Sequence, residues 1–172
     1  MNSAKINFRT QILVTAIAVL LFILKIVAWW LTQSVAILTD ALESTVNVIA
    51  GFISLYSLFI AAKPRDENHP YGHGKAEFLS AAVEGSLVLV AGFVIIYEAI
   101  DNFVHPHELN RLDFGILLVG ITALANYVAG SYCIKVARLN NSLALMASGR
   151  HLQSDTWSTV GIIAGLITIY IT

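Results

Sequence analysis

Five long apolar stretches separated by short polar ones dominate the chain. They run from about Gln11 to Thr32, Val35 to Ala62, Ala76 to Phe103, Phe114 to Ala137, and from 141 to 171. Each is long enough for an α-helix to cross the roughly 30 Å of hydrocarbon in a bilayer. Only Thr32-Gln33-Ser34 separates the first two, so those spans are expected to be antiparallel neighbours. The segment KPRDENHPYGHGK, residues 63–75, follows the second span, and Pro64, Pro70, Gly72 and Gly74 forbid a continuous helix there. HPHELNRLD and ARLNNS divide the remaining spans. The pattern predicts an all-α polytopic transmembrane bundle with five spans.

Composition agrees with that reading. Of 172 residues, 57% are hydrophobic and 12% charged, against about 25% charged in soluble domains; the mean hydropathy is +0.75. Lipid is therefore the main surroundings, and a net charge of -1 argues against nucleic acid as a partner. The single cysteine, Cys133, excludes an intrachain disulfide and a thiolate cluster, and is read as packing. Lys5 and Arg9 before the first span imitate a signal peptide, but Trp29-Trp30 closes that span as an interfacial anchor. Lys and Arg placement adds an orientation. Lys5, Arg9, Lys63, Arg65, Lys75, Lys135 and Arg138 fall on one side and only Arg111 on the other, which predicts a cytoplasmic N-terminus.

The informative positions are the polar ones inside the spans. His151 and Asp155 lie one turn apart near the middle of the fifth span, and such groups in hydrocarbon are expensive unless partnered. The second span carries Asp40, Glu43 and Asn47 on one stripe. By helical rise, Glu43 and Asn47 reach depths of roughly 13 to 20 Å from one face, and His151 and Asp155 roughly 15 to 21 Å from the other. Both pairs therefore fall near the midplane and can converge into a four-ligand cage. One imidazole nitrogen and three oxygens suit a divalent ion such as Zn²⁺, Fe²⁺, Co²⁺, Mn²⁺ or Cd²⁺. Glu43 and Asp155 ionised give the site a charge of -2, and without metal, protons are expected to replace it, on His151 first. The alternative is a polar network that only holds helices together. Lys25, in the first span, either snorkels or neutralises a carboxylate on a neighbouring helix.

SVAILTDALESTVNVIAG, DENHPYGHGKAEF and HLQSD, together with KIVAWW, resemble the cation diffusion facilitators, near their bacterial zinc/iron branch. The resemblance covers essentially the whole chain in order. It implies efflux of a divalent metal from the cytoplasm in exchange for protons, through a homodimer with alternating access in the bacterial inner membrane. The transport site it implies is Glu43, Asn47, His151 and Asp155. The fifth-helix HxxxD matches the family form. The second-helix pair departs from it, since the family has Asp or His first and Asp second, and this favours a harder ion such as Fe²⁺ or Mn²⁺. Asp40 is expected to support the site or the helix packing, with supply of the missing carboxylate as the alternative. Asp66, His69 and His73 match the family's cytoplasmic loop site for metal delivery or regulation. His105 and His107 are read as an interfacial turn.

The family has a sixth helix and a C-terminal cytoplasmic domain, which are absent from residues 1–172. Such a sequence is expected to be either a fragment or a degenerate metal-binding member with a regulatory or scaffold role. An intramembrane metalloenzyme is disfavoured: His69 and His73 lack the HExxH glutamate and are interrupted by Pro70 and Gly72. The expected function is secondary transport, not catalysis.

Overall fold

The computed structural model describes residues 3–32, 35–104 and 112–171. They form five helices: α1 (Ser3–Thr32), α2 (Val35–Ala61), α3 (Lys75–Val104), α4 (Leu112–Asn140) and α5 (Leu143–Ile171). No strand occurs among the described residues, so the all-α class stands. His105 and His107 lie outside them. Ser3–Val27, Asp40–Ala61 and Lys75–Val94 are long and apolar enough to cross a membrane by length and composition. α4 and α5, of 29 residues each, are as long but carry Lys135, Arg138, Arg150, His151 and Asp155. The chain is a multi-pass membrane protein.

Four of the five helices begin and end within about four residues of the expected boundaries; α1 starts eight residues earlier. Hydropathy alone places the boundary at Gln11, where apolar residues begin. The helix continues back to Ser3 because its polar first turns pack inside the bundle, with Asn7, Thr10 and Gln11 buried. Asn7 Oδ1 accepts a hydrogen bond from Asn140 Nδ2 at 2.5 Å, which ties the start of α1 to the end of α4.

α4 lies along α5 and α1 along α2, with α3 set against α2 and α5. Two glycines permit the α4–α5 approach. A Cβ on Gly149 would sit 2.6 Å from Ile134 Cγ1 and 2.9 Å from the Gly130 carbonyl. The apolar core sits at the same seam, around Ala129, Cys133, Ala137, Ala144, Leu145 and Leu152. Cys133 is fully buried there and its thiol donates to the Leu145 carbonyl at 3.2 Å, a packing role.

The turn between α4 and α5 sets where His151 falls. Asn141 adopts φ 52°, the left-handed cap that asparagine tolerates. The Ser142 N–H then reaches back to the Ala137 carbonyl at 3.1 Å, closing a Schellman-type end. Ser142 Oγ accepts from the Leu145 N–H at 3.4 Å as N-cap of α5. Glu77 of α3 completes the cap: its Oε2 accepts from Ser142 Oγ at 2.6 Å and from the Ala144 N–H at 3.3 Å. A carboxylate at a helix N-terminus also meets the positive end of the dipole.

Candidate metal centre

Two elements bring the midplane residues together. Asn47, three turns into α2, faces His151 and Asp155, two and three turns into α5. Asn47 Nδ2 donates to Asp155 Oδ2 at 2.6 Å, and Asn47 Oδ1 stands 2.6 Å from His151 Nε2. His151 Nε2 and Asp155 Oδ2 are 3.9 Å apart. With the amide nitrogen committed to Asp155, the amide oxygen accepts a hydrogen bond from the Nε2–H of His151. One side chain thus bridges an imidazole and a carboxylate across two helices. An ionised aspartate at position 47 could accept from the imidazole but could not donate to Asp155.

The other expected members, Asp40 and Glu43, precede Asn47 on α2. Glu43, half-buried, lies one turn before Asn47 on α2. Among the described residues, the carboxylates of Glu43 and Asp155 and the His151 ring do not form a set of ligand atoms all within 4.8 Å of one another. Asp40 is engaged elsewhere: its Oδ1 takes an ion pair from Lys25 Nζ at 2.9 Å, and Nζ also donates to Ser44 Oγ at 2.7 Å. Lys25 is buried and points inward, so it neutralises a carboxylate of α2 in preference to snorkelling. Asp40 holds α1 against α2.

Glu84 of α3 is an ionisable group in this neighbourhood to which the sequence pattern assigns no role. It is 1% exposed, and its Oε1 accepts from Ser148 Oγ at 3.0 Å and Ser80 Oγ at 3.3 Å. Ser148 in turn lies 3.1 Å from Ser54 Oγ. Among the described residues Glu84 Oε2, His151 Nδ1 and Gln11 Oε1 are buried atoms without a hydrogen-bond partner, and all three residues line one cavity of about 20 Å³. Asn47, Thr15 and Ser148 share that wall. The volume suits one water, and the polar lining supplies the two to four partners a buried water needs. The available sequence signal was the seven-residue spacing of Glu77 and Glu84, which puts both on one face of α3.

The loop residues form a second cluster. Asp66, His69 and His73 offer ligand atoms that all lie within 4.8 Å of one another. Asp66 Oδ1 accepts from the His69 backbone N–H at 2.7 Å and lies 3.0 Å from His69 Nδ1; Oδ2 lies 3.4 Å from His73 Nε2. The two rings are 4.3 Å apart. Successive turns build this: the His69 N–H returns to the Asp66 carbonyl and the Gly72 N–H to the His69 carbonyl. Gly72 has φ +83°, which explains a glycine there. Slight desolvation works to raise the Asp66 pKa, but the His69 ring and backbone hydrogen bonds and the field of both imidazoles outweigh it. The carboxyl is held below its ordinary value.

Residues 11–172 match the family model for the cation efflux transmembrane domain. The chain belongs to the cation efflux family. It is 40% identical over 150 residues to the uncharacterized transporter sll1263 of Synechocystis sp., covering 87% of this chain and 48% of that protein. It is 32% identical over 158 residues to the cation-efflux pump FieF of Escherichia fergusonii, covering 92% of this chain and 53% of the relative. FieF of Escherichia coli is 31% identical over the same length, with the same coverage. The chain spans about half the length of these relatives.

Proposed function

We propose that this chain forms the metal-carrying transmembrane part of a divalent-cation efflux transporter that exchanges metal for protons. The observation that carries the reading is the single amide of Asn47 joining His151 Nε2 to Asp155 Oδ2. In that arrangement Nε2 bears a proton. A divalent ion taking Nε2 as ligand must displace it: a neutral ring passes that proton to Nδ1, whereas an imidazolium, protonated at both nitrogens, keeps one and releases the other. Asn47 Oδ1 and Asp155 Oδ2 are freed together when the amide turns toward the ion. Glu43, one turn away, is the fourth ligand, and α2 must shift or rotate to bring it in. Loading a site in which His151 starts as imidazolium therefore couples a local rearrangement to release of one proton, as exchange requires.

The donor set of one nitrogen and three oxygens accepts Zn²⁺, Fe²⁺, Co²⁺, Mn²⁺ or Cd²⁺, and an amide in place of a carboxylate favours the harder Fe²⁺ and Mn²⁺. Asp66, His69 and His73 serve as a separate loop position for metal delivery or regulation, with water as a fourth ligand. The cationic ends of the helices support a cytoplasmic N-terminus, the bacterial relatives support the inner membrane, and the family resemblance implies a homodimer.

Asp155→Ala in the intact protein, reconstituted into proteoliposomes, tests the site. Metal-driven proton movement is expected to vanish while helical content and monodispersity are retained. Unchanged flux overturns the assignment.

A further inference from the structure

Three cations take no part in either metal cluster. Lys135 and Arg138 near the end of α4 and Arg150 in α5 line one cavity of about 430 Å³. Its walls include Ile134 and Leu139, and Ser131 and Gln153 meet beside it, with Gln153 Nε2 donating to Ser131 Oγ at 3.4 Å. Among the described residues no carboxylate lines the cavity. Among the described residues none of the three cations makes an ion pair. By helical rise Lys135 lies roughly 7 Å and Arg150 roughly 10 Å from the α4–α5 turn, the depth of the boundary between headgroups and hydrocarbon. Three like charges converging there have no counter-charge among the described residues.

The surface beside the cavity is apolar. Along α4, Leu124, Val128 and Tyr132 recur every fourth residue and are exposed, leading from the cations toward mid-membrane. On α5, Trp157 stands two turns beyond Arg150 and is exposed on the same side. A cationic recess continued by two apolar tracks has the polarity of an amphiphile with an anionic head. Guanidinium groups match phosphate oxygens in geometry as well as charge, and basic recesses between transmembrane helices recognise anionic headgroups.

We propose that the cavity bounded by Lys135, Arg138 and Arg150 is a binding site for the phosphate headgroup of an anionic phospholipid. Its acyl chains lie along α4 and α5. The lipid spans the seam at Gly130 and Gly149 and contacts the residue preceding His151, so it clamps together the helix pair that carries half of the midplane site. This inference does not depend on transport.

Native mass spectrometry of the intact protein in detergent, with phosphatidylglycerol or phosphatidylcholine added, tests it. Wild type is expected to retain phosphatidylglycerol about tenfold better than phosphatidylcholine, a difference of about 1.4 kcal/mol. Lys135→Gln, Arg138→Gln, Arg150→Gln should reduce that preference to parity. If the triple variant does not fold, the exposed pair Lys135→Gln and Arg138→Gln should still cut retention severalfold. Equal retention of the two lipids by wild type, or an unchanged preference in the variants, overturns the proposal. Complete displacement of the lipid by millimolar inorganic phosphate overturns it in favour of a soluble-anion site.

Discussion

Replacing Asn47 with aspartate alters a single group where α2 meets α5. The acceptor facing His151 Nε2 is kept, while the donor that reaches Asp155 Oδ2 over 2.6 Å becomes an oxygen facing an oxygen. The lost bond to a charged acceptor is worth about 1.5–3 kcal/mol. Two unit charges roughly 4 Å apart repel by about 4 kcal/mol at an effective dielectric near 20. The sum, at most about 7 kcal/mol, is an upper bound for the metal-free protein, because one proton held between the two carboxylates relieves both losses. Acid supplies that proton and alkali removes it, so the variant's deficit must shrink at low pH and grow at high pH.

A divalent ion neutralises the same repulsion, so metal should stabilise the variant more than wild type. A net deficit of about 2 kcal/mol corresponds to about 4–8 °C for a chain of this size. Thermal unfolding followed by tryptophan fluorescence in detergent, at mildly acidic and mildly alkaline pH, with and without Zn²⁺, reads every term. Equal melting temperatures at both pH values without metal, with equal shifts on adding Zn²⁺, would refute the bridging role of Asn47.

Lys25→Met leaves Asp40 without its cation and should cost about 3–5 kcal/mol; adding Asp40→Asn should recover most of the loss, measured by chemical unfolding. Gly149→Ala drives a methyl to 2.6 Å from Ile134 Cγ1 and 2.9 Å from a carbonyl oxygen, an overpacking cost of about 1–3 kcal/mol, read as a lower unfolding midpoint. His69→Ala with His73→Ala should remove one Zn²⁺ per chain in equilibrium dialysis while part of the transport persists. Asp66, held below its ordinary pKa, contributes stability that is present above the unfolded value and lost as pH falls through the lower folded one. Mild acid should therefore release loop metal through proton competition at the ligands while Asp66 stays ionised, and Asp66→Asn, which removes one of the three ligands, should weaken binding and move the midpoint of that release to higher pH.

Much of the molecule is legible in one dimension. Helix number and extent follow from runs of apolar residues, because a backbone in hydrocarbon must satisfy its own hydrogen bonds. The convergence of Asn47 with His151 and Asp155 follows from counting helical rise, since a bilayer gives depth a common scale. The loop cluster follows from close spacing, which lets a short turn bring three side chains together. Residues far apart in the chain with no shared period escape such counting. Glu84 beside His151, Glu77 capping α5 and Lys25 choosing Asp40 depend on the rotation of each helix about its axis. A glycine pair at Gly130 and Gly149 and a cap at Asn141 set that rotation. The sequence alone therefore determined which groups lie at which depth. Only the tertiary structure decided which of them face one another, because depth is a sum of identical steps along one helix and facing is settled by side-chain packing between helices.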